Sequence, residues 1–159
     1  MKKILFSALL MPFTIKSSCQ DTVKVQQIDS LVSVINQSNL IIQNDSILQD
    51  RPELGLTMKT YLTIALDGNK LKKYINKVSS VRLEKGISKQ MIASNTFYFD
   101  EDKLIKVEEL VIEGDKKQYF NWYYFENKPL YYTYQSEKSA SRATLLLAMG
   151  SGILKQMQQ

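Results

Sequence analysis

Between residues 25 and 35 apolar side chains recur three and four positions apart, at Val25, Ile28, Val32 and Ile35, with Leu31 widening the stripe. That spacing predicts an amphipathic helix, capped at its start by Asp21 or Thr22 and ended by the polar run Asn36 to Asn39. The stretch from Leu40 to Leu56 mixes apolar pairs with Asn44, Asp45 and Ser46 and with Arg51 and Pro52, and is expected to be a short strand or extended connection.

Beyond it the period changes to two. Three six-residue blocks, Leu66 to Leu71, Phe99 to Leu104 and Phe125 to Leu130, share the form apolar, acid, three residues, Leu. Each lies between runs rich in β-branched and aromatic residues, and acids beside Asn, Gly or Pro are the chemistry of tight turns, so three β-hairpins are predicted. Their unequal intervals, 33 and 26 residues, point to a meander rather than a solenoid. Leu71, Tyr74, Ile75 and Val78 also fit a helical spacing, but Asp67 and Gly68 just before them favour a strand. Glu84 to Ser88 and Glu113 to Asp115 are read as loops between the hairpins.

The C-terminal part reverts to a helical pattern, with Leu145, Leu146, Leu147, Met149, Ile153, Leu154 and Met157 following several candidate N-caps in Ser136 to Ser141. Gly150 and Gly152 interrupt it, which predicts a kink or a close contact there. The fold class expected is therefore α+β: an N-terminal helix, an antiparallel meander of about six strands and a C-terminal helix packed on one sheet face.

If each hairpin pairs its Phe or Leu with the Leu five residues later, alternation sorts the side chains onto two faces. Met58, Leu62, Ile64, Leu66, Leu71, Ile75, Phe97, Phe99, Leu104, Phe125 and Leu130 form one, the expected floor for both helices. Tyr61, Tyr74, Tyr98, Phe120, Trp122, Tyr124 and Tyr131 concentrate on the other. Rings with polar tips suit recognition of a peptide, glycan, apolar ligand or envelope protein, so Tyr61, Tyr98, Trp122, Tyr124 and Tyr131 are candidate contact residues. The alternative is that the same rings are cross-strand packing pairs, or lie under a helix. The strand from Ile105 to Ile112 changes apolar parity at Glu108 and Glu109, which predicts a bulge or burial on both sides.

The first residues stand apart. Met1-Lys2-Lys3 followed by the apolar run Ile4 to Ile15 has the charge and length of a secretory signal, so residues 1–18 are expected to be a signal peptide and 19–159 a single exported domain. Ser17, Ser18 and Cys19 resemble the processing site of bacterial lipoproteins, which implies a lipid on Cys19 and a periplasmic, outer-membrane or cell-surface location. Lys16 occupies the position where that family carries a Leu-like residue, and ordinary signal-peptidase cleavage nearby is the alternative.

Composition then narrows the chemistry. The 159 residues contain no histidine and one cysteine, so a Ser/His/Asp triad, a His-ligated metal and an intrachain disulfide are excluded. With Cys19 lipidated or removed, the folded body has no thiol nucleophile. The signal segment carries three of the 21 basic residues and none of the 16 acidic ones, so the mature net charge falls from +5 to +2. The basicity belongs to the export signal, and neither a nucleic-acid partner nor a cofactor is expected. Asp100, Glu101 and Asp102 lack the further ligands of a Ca²⁺ loop, and Gly150 to Lys155 lacks phosphate-loop spacing.

In outline the layout resembles small exported helix-plus-sheet modules of the PepSY or β-lactamase-inhibitor type, which bind or inhibit partners and catalyse nothing. The function expected is a non-catalytic binding or accessory module of the bacterial envelope. Two alternatives are a small hydrolase or isomerase using Glu108, Glu109 or Glu113, and a purely structural envelope component.

Overall fold

The computed structural model describes residues 17–84, 86–133 and 137–158; the side chains of residues 17–20 and 84 are not among those described. The apolar part of the expected signal peptide, and Ser136 among the expected caps, lie outside the described residues. The α+β expectation holds. Helix α1 (Ser17–Gln37) precedes seven strands, β1 (Ile41–Arg51), β2 (Leu56–Asp67), β3 (Lys70–Glu84), β4 (Ile87–Asp100), β5 (Lys103–Glu113), β6 (Lys116–Phe125) and β7 (Lys128–Tyr132), and helix α2 (Glu137–Met157) closes the chain. The strands form one antiparallel sheet in the order β1-β2-β3-β4-β5-β6-β7.

Leu71 to Val78 is strand, as the Asp67-Gly68 turn favours. Two expectations need correction. The stretch after α1 is a full strand, β1, paired residue for residue with β2 from Ile41↔Leu66 to Arg51↔Leu56. The two segments read as loops are also tight turns, because β3 pairs with β4 down to Glu84↔Ile87 and β5 with β6 down to Glu113↔Lys116. The left-handed backbone at Gly86 (φ 79°) and Gly114 (φ 57°) is what lets two-residue turns join right-twisted strands.

The helices lie on opposite faces of the sheet, not together on one floor. Ile28, Val32 and Ile35 of α1 bury Tyr98 and Tyr123, whereas Ala143 and Leu146 of α2 join Leu71, Phe97, Phe99, Leu104, Val107, Trp122 and Tyr124. The register explains the difference. Leu66↔Leu71 and Phe99↔Leu104 pair as expected, but the third hairpin closes on Phe125↔Lys128. Its Tyr124, not Phe125, therefore takes the place of Phe99. Irregularities at Ala65/Leu66, Tyr98/Phe99 and Tyr123/Tyr124 each insert one residue next to a turn and reverse the alternation beyond it. The parity change in β5 is thus burial on both sides, with α1 above Lys106 and α2 below Val107.

Both helices sit at the end of the sheet that carries the turns after β2, β4 and β6. Strand β3, with 15 residues, runs roughly 50 Å, while each 21-residue helix is about 31 Å long and crosses β5 to β7. Among the described residues, the opposite end of the sheet and all of β1 carry no helix.

Candidate binding surface

The five rings singled out from the sequence do not form one surface. Tyr98 is 3% exposed and lies beneath α1, where its hydroxyl donates to Glu108 Oε2 at 3.0 Å. Trp122 (5% exposed) packs beneath α2 with its ring 5.6 Å from that of Tyr132, and Tyr124 (1% exposed) donates to the Ala143 carbonyl at 3.0 Å. These three are core. Tyr61 and Tyr131 remain 40% and 42% exposed on the α1 side, but they stand on β2 and β7, with four strands between them in the sheet order. The alternative that the rings lie under a helix describes Tyr98, Trp122 and Tyr124.

The carboxylates considered for acid/base work are engaged structurally and on different faces. Glu109, under α2, accepts from the Arg142 guanidinium. Glu108, under α1, accepts from Tyr98 and from Lys106, whose ammonium lies 2.9 Å from both Glu108 Oε1 and Asp29 Oδ1. Burial alone would lower the Lys106 pKa, but its bonds to Glu108 and Asp29 outweigh that and hold it above its usual value. Burial pushes Tyr98 up to about 12, the bond to Glu108 adding to the effect. Tyr123 donates to Asp29 at 3.0 Å and is also raised by burial. The cluster is a polar pin that fixes α1 on β5 and β6, with each group already partnered. Glu113 is exposed at the helix-free end.

That end carries an apolar concavity outside the core. On the α2 side a groove of about 530 Å³ has Leu54, Leu56, Met58 and Met91 as its apolar lining, with Ser80 buried in the floor. Arg82 and Lys89, directly opposite each other across β3 and β4, stand on its rim with Glu113. The groove exists because Pro52 opens a single 3-10 turn between β1 and β2, which leaves Leu54 61% exposed. Gly55 follows at φ 57° with its carbonyl bonded to the Leu83 N–H, and a Cβ there would press on the Leu83 carbonyl at 3.3 Å. On the α1 side a smaller recess of about 330 Å³ is lined by Ser94, Thr96, Glu108, Tyr119 and Asn121.

Sequence reasoning placed Met58 on the helix floor and passed over Leu54, Arg82, Lys89 and Met91. The signal available was length: aliphatic residues continue along long strands past any point that two short helices could cover. Among the described residues no group of three or more acidic, histidine or cysteine side chains is arranged to hold a metal, and no helix is long and apolar enough to cross a membrane. Comparison with protein-family models, curated proteins and solved structures returns no match.

Proposed function

We propose that the chain is an exported, non-catalytic binding or accessory module of the bacterial cell envelope, held at the membrane by a lipid on Cys19. Its ligand is a small amphipathic molecule whose apolar tail occupies the groove at the helix-free end of the sheet. The groove itself carries this reading: four aliphatic or thioether side chains line an open concavity whose rim is polar, with Arg82, Lys89 and Glu113. Apolar linings with a few placed polar groups are the usual form of small-molecule sites. The commitment of Glu108 and Glu109 to Lys106 and Arg142 supports binding over catalysis.

Methionine methyl NMR with decanoate as the probe tests the site. The Met58 and Met91 signals are expected to shift saturably, while Met149 and Met157 on α2 stay in place. Leu54→Asp with Met91→Asp, both exposed positions, should abolish the shifts without lowering Tm. Four methionines responding alike, or none at about 1 mM decanoate, would refute the site.

A further inference from the structure

The two edges of the sheet are built differently. Strand β7 has five residues, includes Lys128 and Pro129, meets β6 through an irregularity and is packed by α2. Those are the usual means of keeping an edge from pairing. Strand β1 uses none of them. Its 11 residues are all exposed, pair with β2 without a bulge and include neither lysine nor proline. Ile41, Ile42, Ile47 and Leu48 are all about half or more exposed.

We propose that β1 pairs with β1 of a second copy of this chain, antiparallel about a two-fold axis through Ile47. Symmetry restricts the choices, because a two-fold perpendicular to the sheet must place one residue opposite itself. Centred on Asp45, the pairing sets two carboxylates face to face. Centred on Ser46, it sets Ile42 against Asp50 and Ile47 against Asp45. Centred on Ile47, it joins nine residues of each strand, from Gln43 to Arg51. Ile47 then meets Ile47 of the second copy, and the two Leu48 side chains become diagonal neighbours on the other face.

Charge agrees with that register. Arg51 falls opposite Gln43 of the second copy and diagonal to its Asp45, so two attractive pairs form across the axis and no like charges are opposed. Among the described residues Arg51 is otherwise tied to Glu53, at 3.8 Å with both side chains largely exposed. The backbone agrees as well. The Ser46 N–H donates to Asp45 Oδ1 at 2.7 Å and so points away from β2, which makes the even-numbered residues the outward set. Ile47 then occupies a non-hydrogen-bonded pair, where opposing side chains are closest, and the flanking even residues exchange about eight inter-strand hydrogen bonds. Asp45 leaves the Ser46 N–H to the partner's backbone and turns to Arg51 of the second copy. The axis keeps both α1 helices on one side of the joined sheet, so both Cys19 residues approach a membrane from the same direction.

Sedimentation equilibrium of the purified protein over about 1 to 500 µM tests the pairing, a range suited to a small interface. A monomer–dimer equilibrium is expected. Ile47→Lys should give a monomer with unchanged Tm, since Ile47 makes no core contact. Asp45→Arg and Arg51→Asp should each weaken self-association about tenfold or more, and mixing the two variants should restore a heterodimer of near wild-type affinity. Wild-type protein that stays monomeric throughout would overturn the proposal. So would a dimer indifferent to Ile47→Lys, or one in which the mixed charge variants do not recover. Ile47 and Asp45 are not groove residues, so failure here leaves the decanoate result standing and the reverse also holds.

Discussion

Gly150 and Gly152 sit two residues apart in α2, and the structure predicts opposite outcomes for the same substitution. Replacing a helix-interior glycine by alanine gains about 1 kcal/mol from propensity and from a less flexible unfolded chain. At Gly152 nothing lies within 4 Å of the added Cβ, so that gain should appear nearly whole. At Gly150 the Cβ would stand 2.9 Å from Leu104 Cδ2, 3.2 Å from Cδ1 and 3.3 Å from Cγ. Leu104 is 2% exposed and enclosed by Phe97, Phe99 and Leu146, so it must leave its rotamer or lift the helix. Overpacking of that kind costs about 1–3 kcal/mol, which cancels or exceeds the propensity gain. Gly152→Ala should therefore raise Tm by about 3 °C, and Gly150→Ala should lower it by up to about 6 °C. Thermal unfolding followed by the fluorescence of Trp122, the only tryptophan and a buried one, measures both. In a Leu104→Ala background Gly150→Ala should become stabilising, because its methyl then occupies vacated space. Equal stabilisation by both alanines in the wild-type background would refute the seating of α2 on Leu104.

Three further outcomes follow from the core and the N-terminus. Asp29→Asn or Glu108→Gln alone leaves the Lys106 ammonium one half-exposed carboxylate and should cost about 1 kcal/mol, whereas the double variant strands a buried charge and should cost about 3–5 kcal/mol. A strictly additive double-mutant cycle in urea would show instead that Lys106 reaches water. Tyr98 should titrate near 12 in absorbance at 295 nm in the native protein and near 10 in concentrated urea. Its folded-state pKa lies above the unfolded one, so the stability it contributes is complete below pH 10 and is lost as pH rises towards 12; an unchanged unfolding midpoint across that window would contradict the burial of Tyr98 under α1. Mass spectrometry of the mature N-terminus should find a lipid-modified Cys19, and an unmodified chain beginning after it would remove the anchor.

The α1 helix, the β2/β3, β4/β5 and β6/β7 turns and the C-terminal helix were legible because each depends on a local period or on turn chemistry within a few residues. The close approach at Gly150 was legible for the same reason, since a glycine inside an apolar helix needs a neighbour to account for it. The facing of the sheet was not. A single inserted residue at Lys72, Ile105 or Leu130 leaves composition and turn residues unchanged while exchanging the two faces of the strand that follows. One offset in the third hairpin was enough to carry Trp122 and Tyr124 from an imagined recognition surface into the α2 core. The full length of β1, expected only as a short strand or an extended connection, was hidden for a different reason. Its Asn44-Asp45-Ser46 centre resembles a turn, and the strand persists because β2 offers it 11 consecutive partners.

What remains uncovered is not scattered. Ile47 lies on the β1 edge, Leu54 on the turn that follows the strand, and Met91 beyond, across β2 and β3, all on the α2 face, so exposed apolar side chains lead from the sheet edge towards the groove. Single exposed aliphatic residues need no explanation, but a stretch of them gathered on one face does. The stretch has two parts with different chemistry. Along β1 the unmet groups are backbone N–H and C=O with alternating side chains, which only another strand can satisfy. In the groove the backbone is already paired between β2, β3 and β4, and only side chains remain to be covered, which suits a ligand without a strand of its own. Pro52 separates the two: it has no N–H to continue the β1 ladder, and its 3-10 turn lifts Leu54 out of the edge and onto the groove wall. A chain paired along β1 would end at Arg51 and leave the groove open, so self-association and ligand binding can proceed on the same molecule without competing for a residue.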